Sequence, residues 1–158
     1  MQSTHVPAQG HRDATTGKKI REYHSVKDMF AKRCLVYKDA RSGASDAMIH
    51  IMFALSECDA TLLDDENHVC QTLKQAADVA GATLLKMSSH KFEPQGVTAV
   101  ALLAESHISV HTWPEKRTAL CDIFTCSDEC QAPKAVEEMQ RAFKASLVSS
   151  RIDTHRHV

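Results

Sequence analysis

Three apolar runs follow one another with no helical pattern between them: "VTAVALLAE" (97–105), "HISVHTW" (107–113) and "TALCDIFTC" (118–126). Each has the length and character of a strand. "AMIHIMFALS" (47–56) and "ATLLKMSS" (82–89) read as two more, and "VSSRIDTHRH" (148–157) as a last, exposed one. Two helices interrupt the series. In "DDENHVCQTLKQAADVAG" (64–81), Val69, Leu73, Ala76, Ala77 and Ala80 fall on one helical face, acids fill the first turn and Gly81 sits at the C-terminal end. In "PKAVEEMQRAFKASL" (133–147), Pro133 suits the first turn and Val136, Met139, Phe143 and Leu147 form the apolar stripe. Runs of adjacent strands favour an antiparallel sheet. The expected fold class is therefore α+β: a two-layer sandwich, mainly antiparallel sheet, with two helices packed on one face. The other face of such a sheet is open and often meets a second sheet in a dimer.

The chain has 158 residues, enough for one domain with a modest core. Its compact part is expected at 46–158, from the strand at 47 onward. Residues 1–45 read as a polar, disordered extension. Within it, 25–34 could form a short helix capped by Ser25 and Asp28, and "KDARSGAS" (38–45) a linker. A net charge of -1 gives no basic field to attract nucleic acid or a membrane surface, and no apolar run is long enough to span a bilayer. The N-terminus lacks the apolar core of a secretion signal. The six cysteines include no C-x-x-C pair, so they read as reduced thiols of a cytoplasmic protein.

One stretch does not fit a plain buried strand. "AESHISVHTWPE" (104–115) sets Glu105, Ser106, His107 and His111 inside the apolar series, with no glycine or proline to explain the break at Glu105–Ser106. On a strand, His107, Ser109 and His111 share one face and Ile108 and Val110 the other. Two histidines with Glu105 and Cys126 could bind zinc. H-x-x-x-H off a helix is common by chance, however, and no metal is assigned. Ser106 could act on an external acyl substrate, but the flanks lack the G-x-S-x-G elbow. Otherwise the histidines are satisfied core residues and Ser106 a turn residue. That last reading must also account for "HKFEPQG" and "DIFTC" nearby.

Together these segments resemble the prokaryotic-type S-adenosylmethionine decarboxylase proenzymes. Their pattern runs H-x-F-x-P-x-G-V-S-G, then E-S-H-(apolar)-x-(apolar)-H-T-(aromatic)-P-E, then D-(apolar)-F-T-C-G. The resemblance covers residues 47 to about 155. It implies that Ser106 attacks the carbonyl of Glu105, turning the peptide into an ester. β-Elimination then cuts the chain between 105 and 106. Hydration and loss of ammonia leave a covalent pyruvoyl group at the new N-terminus of 106–158. A planar amide resists such attack, so the site must distort the bond or hold the developing oxyanion.

The resemblance also carries residue roles. His111 matches the histidine that assists processing, work that suits an imidazole near neutral pH. Thr98 stands where a serine usually steadies the reacting carbonyl. Cys126 matches the proton donor to the substrate α-carbon, after the substrate amine has formed a Schiff base with the pyruvoyl carbonyl and carbon dioxide has left. Phe92 would stack on adenine. Trp113 is a second aromatic wall for the adenine or the sulfonium cation. Glu115 matches the acid that binds the ribose hydroxyls. The implied function is decarboxylation of S-adenosylmethionine for spermidine synthesis, by a homodimer of cleaved protomers with sites at the interface.

Departures from the pattern bear on substrate. Ala99 replaces a glycine, "KRT" (116–118) replaces a segment that usually carries glycine and an aromatic residue, and Ser127 replaces the glycine after Cys126. Relatives with the same cofactor chemistry act on arginine or ornithine, which is the alternative enzyme reading. An uncleaved regulatory or binding subunit is the alternative outside enzymes.

Overall fold

The computed structural model describes residues 22–23, 47–126 and 131–156. The readings for 1–20, 25–34 and 38–45, and those for Ser127 and Cys130, fall outside them. The elements in chain order are β1 (Glu22–Tyr23), β2 (Ala47–Ser56), α1 (Ala60–Asp64), α2 (Glu66–Ala80), β3 (Leu84–Lys91), β4 (Val97–Leu103), β5 (Ser106–Trp113), a 3-10 turn (Pro114–Lys116), β6 (Thr118–Thr125), α3 (Ala132–Ala142) and β7 (Leu147–Arg156). They build one sheet of seven strands in the order β1-β7-β2-β6-β5-β4-β3, and every pairing is antiparallel. The fold is thus the expected α+β sandwich. β7, read as an exposed strand, lies between β1 and β2 in the sheet, with Val148 fully buried. Two residues of the segment read as a polar extension, Glu22–Tyr23, pair with it.

Alternation along the strands divides the sheet into a packed and an open face. Val97, Ala99, Ala101 and Leu103 of β4 and Ile108, Val110 and Thr112 of β5 are buried beneath the helices. Thr98, Val100, Leu102, His107, Ser109 and His111 face the other way. Val69, Leu73, Ala76, Ala77 and Ala80 line the buried side of α2, as their spacing predicts. Asp65 caps its start, accepting from the His68 N–H at 3.0 Å. Gly81 ends it in the left-handed conformation (φ 73°), which a residue without Cβ adopts freely.

Several boundaries differ from the sequence reading, and the five-residue helix α1 was not expected from it. The helix expected to reach 147 stops at Ala142, although Phe143 is fully buried as predicted. The cause is the sheet: Ser146 N–H bonds to Ser56 O at 3.2 Å, and Leu147 pairs with Ser56 at the start of β7. β3 begins at 84 rather than 82, because Ala82 N–H is taken by Ala77 O in the exit from α2. Among the described residues, no helix is long and apolar enough to cross a membrane.

Candidate active site

The β4–β5 hairpin turns on two residues, Ala104 and Glu105, with Leu103 paired to Ser106. Two-residue hairpins favour primed turns, which need positive φ in the turn and hence glycine or asparagine. Here the chain has neither, and the positive φ falls one residue later, on Ser106 at 141°. For a residue with a Cβ this is a strained conformation, and it lies at the Glu105–Ser106 bond.

The groups around that bond are held from several elements. The Glu105 carboxylate accepts from the Thr83 N–H at 3.0 Å, ahead of β3. Its carbonyl oxygen accepts two hydrogen bonds from Cys126, one from the backbone N–H at 3.1 Å and one from the thiol at 3.1 Å. Two donors converging on one carbonyl are the arrangement that stabilises an oxyanion. Cys126 is exposed, just past the end of β6. Cys121, read as structural from sequence, is buried. So is Cys58, whose thiol burial pushes up to about 11.

A polar chain runs from Ser106 across the open face. Ser106 Oγ lies 3.2 Å from His107 Nδ1, and His107 Nε2 lies 3.1 Å from Asp122 Oδ2. His50 Nε2 approaches the same oxygen at 3.1 Å from β2, and the Ser109 hydroxyl donates to Oδ1. Partial burial works to raise the Asp122 pKa, but the bonds from Ser109, His50 and His107 outweigh it, and the carboxyl stays below its ordinary value. A carboxyl lowered on folding contributes stability above its unfolded pKa of about 3.9, and that contribution is lost as pH falls through the lower folded value. Urea unfolding of wild type and Asp122→Asn is therefore expected to show wild type more stable at pH 7, with the gap narrowing at pH 3. A gap that is constant with pH would contradict the network.

At the opposite end of the hairpin lies a second cluster. Thr98 and His111 are cross-strand partners, with Thr98 Oγ1 2.8 Å from His111 Nδ1. They line a groove of about 580 Å³ together with Phe92, Trp113 and Glu115, a size suited to a drug-sized ligand. Phe92 is nearly half exposed, at 46%. Glu115 accepts from Gln95 Nε2 at 3.1 Å. The 92–96 loop is pinned by Asp64, which accepts from the Gly96 N–H at 2.8 Å and pairs with Lys91. Gly96 sits at φ 100°, and a Cβ there would meet the Thr112 carbonyl at 3.0 Å. Only glycine fits.

The residues singled out from sequence thus form two groups within one chain. Glu105, Ser106 and Cys126 meet at one end of the hairpin; Phe92, Thr98, His111, Trp113 and Glu115 meet at the other. Five residues of strand separate Ser106 from His111, roughly 17 Å. His107 and His111, four apart on the same strand, are roughly 13 Å apart and do not share a metal ion. Sequence reasoning missed His50 and Asp122 and left His107 without a role. The available signal was alternation in "CDIFTC", which turns Asp122 and Phe124 away from buried Cys121 and Ile123.

Comparison with known proteins gives one answer. The family model described as S-adenosylmethionine decarboxylase matches residues 49–156. The S-adenosylmethionine decarboxylase proenzyme of Prochlorococcus marinus (strain MIT 9211) is 50% identical over 109 residues, covering 66% of this chain and 88% of the relative. The proenzyme of Synechococcus sp. (strain WH7803) is 51% identical over 96 residues, 61% of this chain and 75% of the relative. Among solved structures, the adenosylmethionine decarboxylase of Aquifex aeolicus superimposes with a TM-score of 0.61 at 34% identity, over 72% of this chain and 91% of that one.

Proposed function

Because this chain belongs to the S-adenosylmethionine decarboxylase family, we propose that its activity depends on self-cleavage between Glu105 and Ser106 and on a pyruvoyl group formed from Ser106. The chain is a decarboxylase of S-adenosylmethionine, made as a proenzyme and serving polyamine biosynthesis. None of the comparisons favours arginine, ornithine or a non-catalytic subunit.

The observation that carries the cleavage reading is the pair of Cys126 donors on the Glu105 carbonyl, beside a serine held at positive φ. The positive φ holds Ser106 in a strained backbone beside the amide, and the Cys126 donors stabilise the charge that grows on the carbonyl oxygen when Ser106 attacks. The residues at this end of the hairpin therefore fit the group they would generate. A pyruvoyl group at position 106 would supply a carbonyl that joins the substrate amine and draws the electrons released with carbon dioxide. Cys126, already next to this carbon skeleton, is the proton donor to the substrate. On a denaturing gel the purified protein is expected as two bands, split at Glu105/Ser106; one full-length band would count against the reading.

The second group binds and processes. Phe92 and Trp113 offer faces to the adenine and the sulfonium cation, and Glu115 accepts the ribose hydroxyls. Thr98 and His111 assist cleavage. Since these residues lie at the far end of the hairpin from Ser106, a second copy brings them into reach. The open face supports this: Leu102 and Leu120, 48% and 46% exposed, lie on it among polar groups. Face-to-face packing about a two-fold axis that runs across the strands sets each end of one hairpin against the opposite end of its partner. The active unit is thus a homodimer with two shared sites.

Co-expression tests the sharing. His111→Ala and Ser106→Ala chains each stay uncut when made alone. Made together, the His111→Ala chain is expected to be cut, because its Ser106 receives an intact His111 from the other copy. If the His111→Ala chain stays whole in verified mixed dimers, each site is built from one chain.

A further inference from the structure

The open-face polar chain ends on the hydroxyl that the proposed cleavage uses. We propose that His107 is the base that takes the proton from Ser106 Oγ at the first step of cleavage, with Asp122 as the positioning residue that fixes its ring. This rests on the self-cleavage reading above and adds the base that starts it.

The assignment follows from which atoms are already committed. Asp122 is an acceptor only, so the His107 nitrogen 3.1 Å from its Oδ2 carries the proton. That nitrogen is Nε2. Nδ1 is left with its lone pair, and it lies 3.2 Å from Ser106 Oγ. The reach is that expected of a general base before reaction. Asp122 is itself held on both oxygens, by Ser109 on one and by His50 and His107 on the other. The rings of His50 and His107 both lie against Phe124, with centroids 5.4 and 6.1 Å away. His111 does not fill this role within the chain: it is five residues along the strand, and its Nδ1 is engaged by Thr98.

The step balances without another reactant. The Ser106 hydroxyl proton passes to Nδ1 as Oγ bonds to the Glu105 carbonyl carbon. Charge on the carbonyl oxygen is held by the Cys126 N–H and thiol. The carbon–nitrogen bond then breaks as Nδ1 returns the proton to the departing nitrogen of Ser106. One amide becomes one ester and one amine. The base must be neutral to act, so cleavage slows in acid, where the imidazole is protonated. The ionisable groups on surrounding elements are Asp122 of β6, Cys126 just beyond it, His50 of β2 and Glu105 of the turn; β4 places apolar Leu102 opposite His107.

The test uses freshly synthesised full-length precursor, with the cut fraction followed in time on denaturing gels. His107→Ala and His107→Gln are expected to slow cleavage by about 100-fold or more. Added imidazole should partly restore His107→Ala, and hydroxylamine should release no fragments from either variant, because no ester has formed. Asp122→Asn is expected to slow cleavage and move the acid limb of its pH profile to lower pH, because the imidazolium loses its carboxylate. Wild-type cleavage rates in both His107 variants would overturn the proposal and leave the self-cleavage reading intact. So would fragments released by hydroxylamine, which would place His107 after ester formation. If His107→Ala fails to fold, the Asp122→Asn limb decides, and an unmoved limb overturns the proposal. A wild-type precursor that never cuts overturns both readings.

Discussion

Ser106→Ala is expected to leave the protein as a single uncut chain of 17.5 kDa with no measurable decarboxylation. The substitution removes one oxygen. Nothing in the packing depends on that oxygen: its hydrogen-bonding contact is to His107, and residue 106 sits at the end of a hairpin rather than in the core. Alanine also keeps a Cβ, so the positive φ and its strain persist. The fold and the two Cys126 bonds to Glu105 should therefore remain, while the atom that attacks the carbonyl is gone. The pairing of an unchanged circular dichroism spectrum with complete loss of cleavage and turnover separates a missing nucleophile from a damaged fold. Ser106→Ala material that decarboxylates S-adenosylmethionine would show that the chemistry resides elsewhere.

Cys126→Ala should separate the two stages. Its backbone N–H still reaches the Glu105 carbonyl at 3.1 Å, so one of the two donors survives. Cleavage should slow but reach completion, giving two pieces. Turnover depends on the thiol itself, and loss of a positioned proton donor costs about 10² to 10⁴-fold in kcat. Cys126→Ser restores a donor at the carbonyl but a far poorer acid, so it should cleave better than the alanine variant while still turning over slowly. The measurement is cleavage rate and kcat in parallel on the same preparations. Near-normal turnover by processed Cys126→Ala would remove the thiol from the mechanism.

Much of the fold was legible because local pattern and tertiary demand agree. The alternation of His107, Ser109 and His111 with Ile108 and Val110 matches the open and buried faces, and the α2 stripe is the face that packs. The end of α3 was hidden because sheet pairing by Ser146 and Leu147 overrides a continuing helical stripe, a competition that only the folded chain reveals. The bond at the centre of the site was legible as an anomaly: a turn with no turn residues. Its consequence, positive φ on Ser106 rather than within the turn, was not.

The division of the site was also hidden. Residues 105 to 115 look like one cluster when written as a string, but a strand advances about 3.3 Å per residue and carries His111 and Glu115 well away from Ser106. Asp122 illustrates the converse. It lies sixteen positions beyond Ser106 in sequence, yet cross-strand register sets it opposite Ser109 and within reach of His107. Sequence proximity overstated one contact and concealed the other.

The most direct measurement is the intact mass of the purified wild-type protein. The account predicts two polypeptides: one ending at Glu105, and one covering 106–158 that is lighter by one ammonia than a serine-terminated piece and carries a ketone at its N-terminus. Fully active material consisting only of the unbroken chain, or of a 106–158 piece that begins with an ordinary serine, would contradict it.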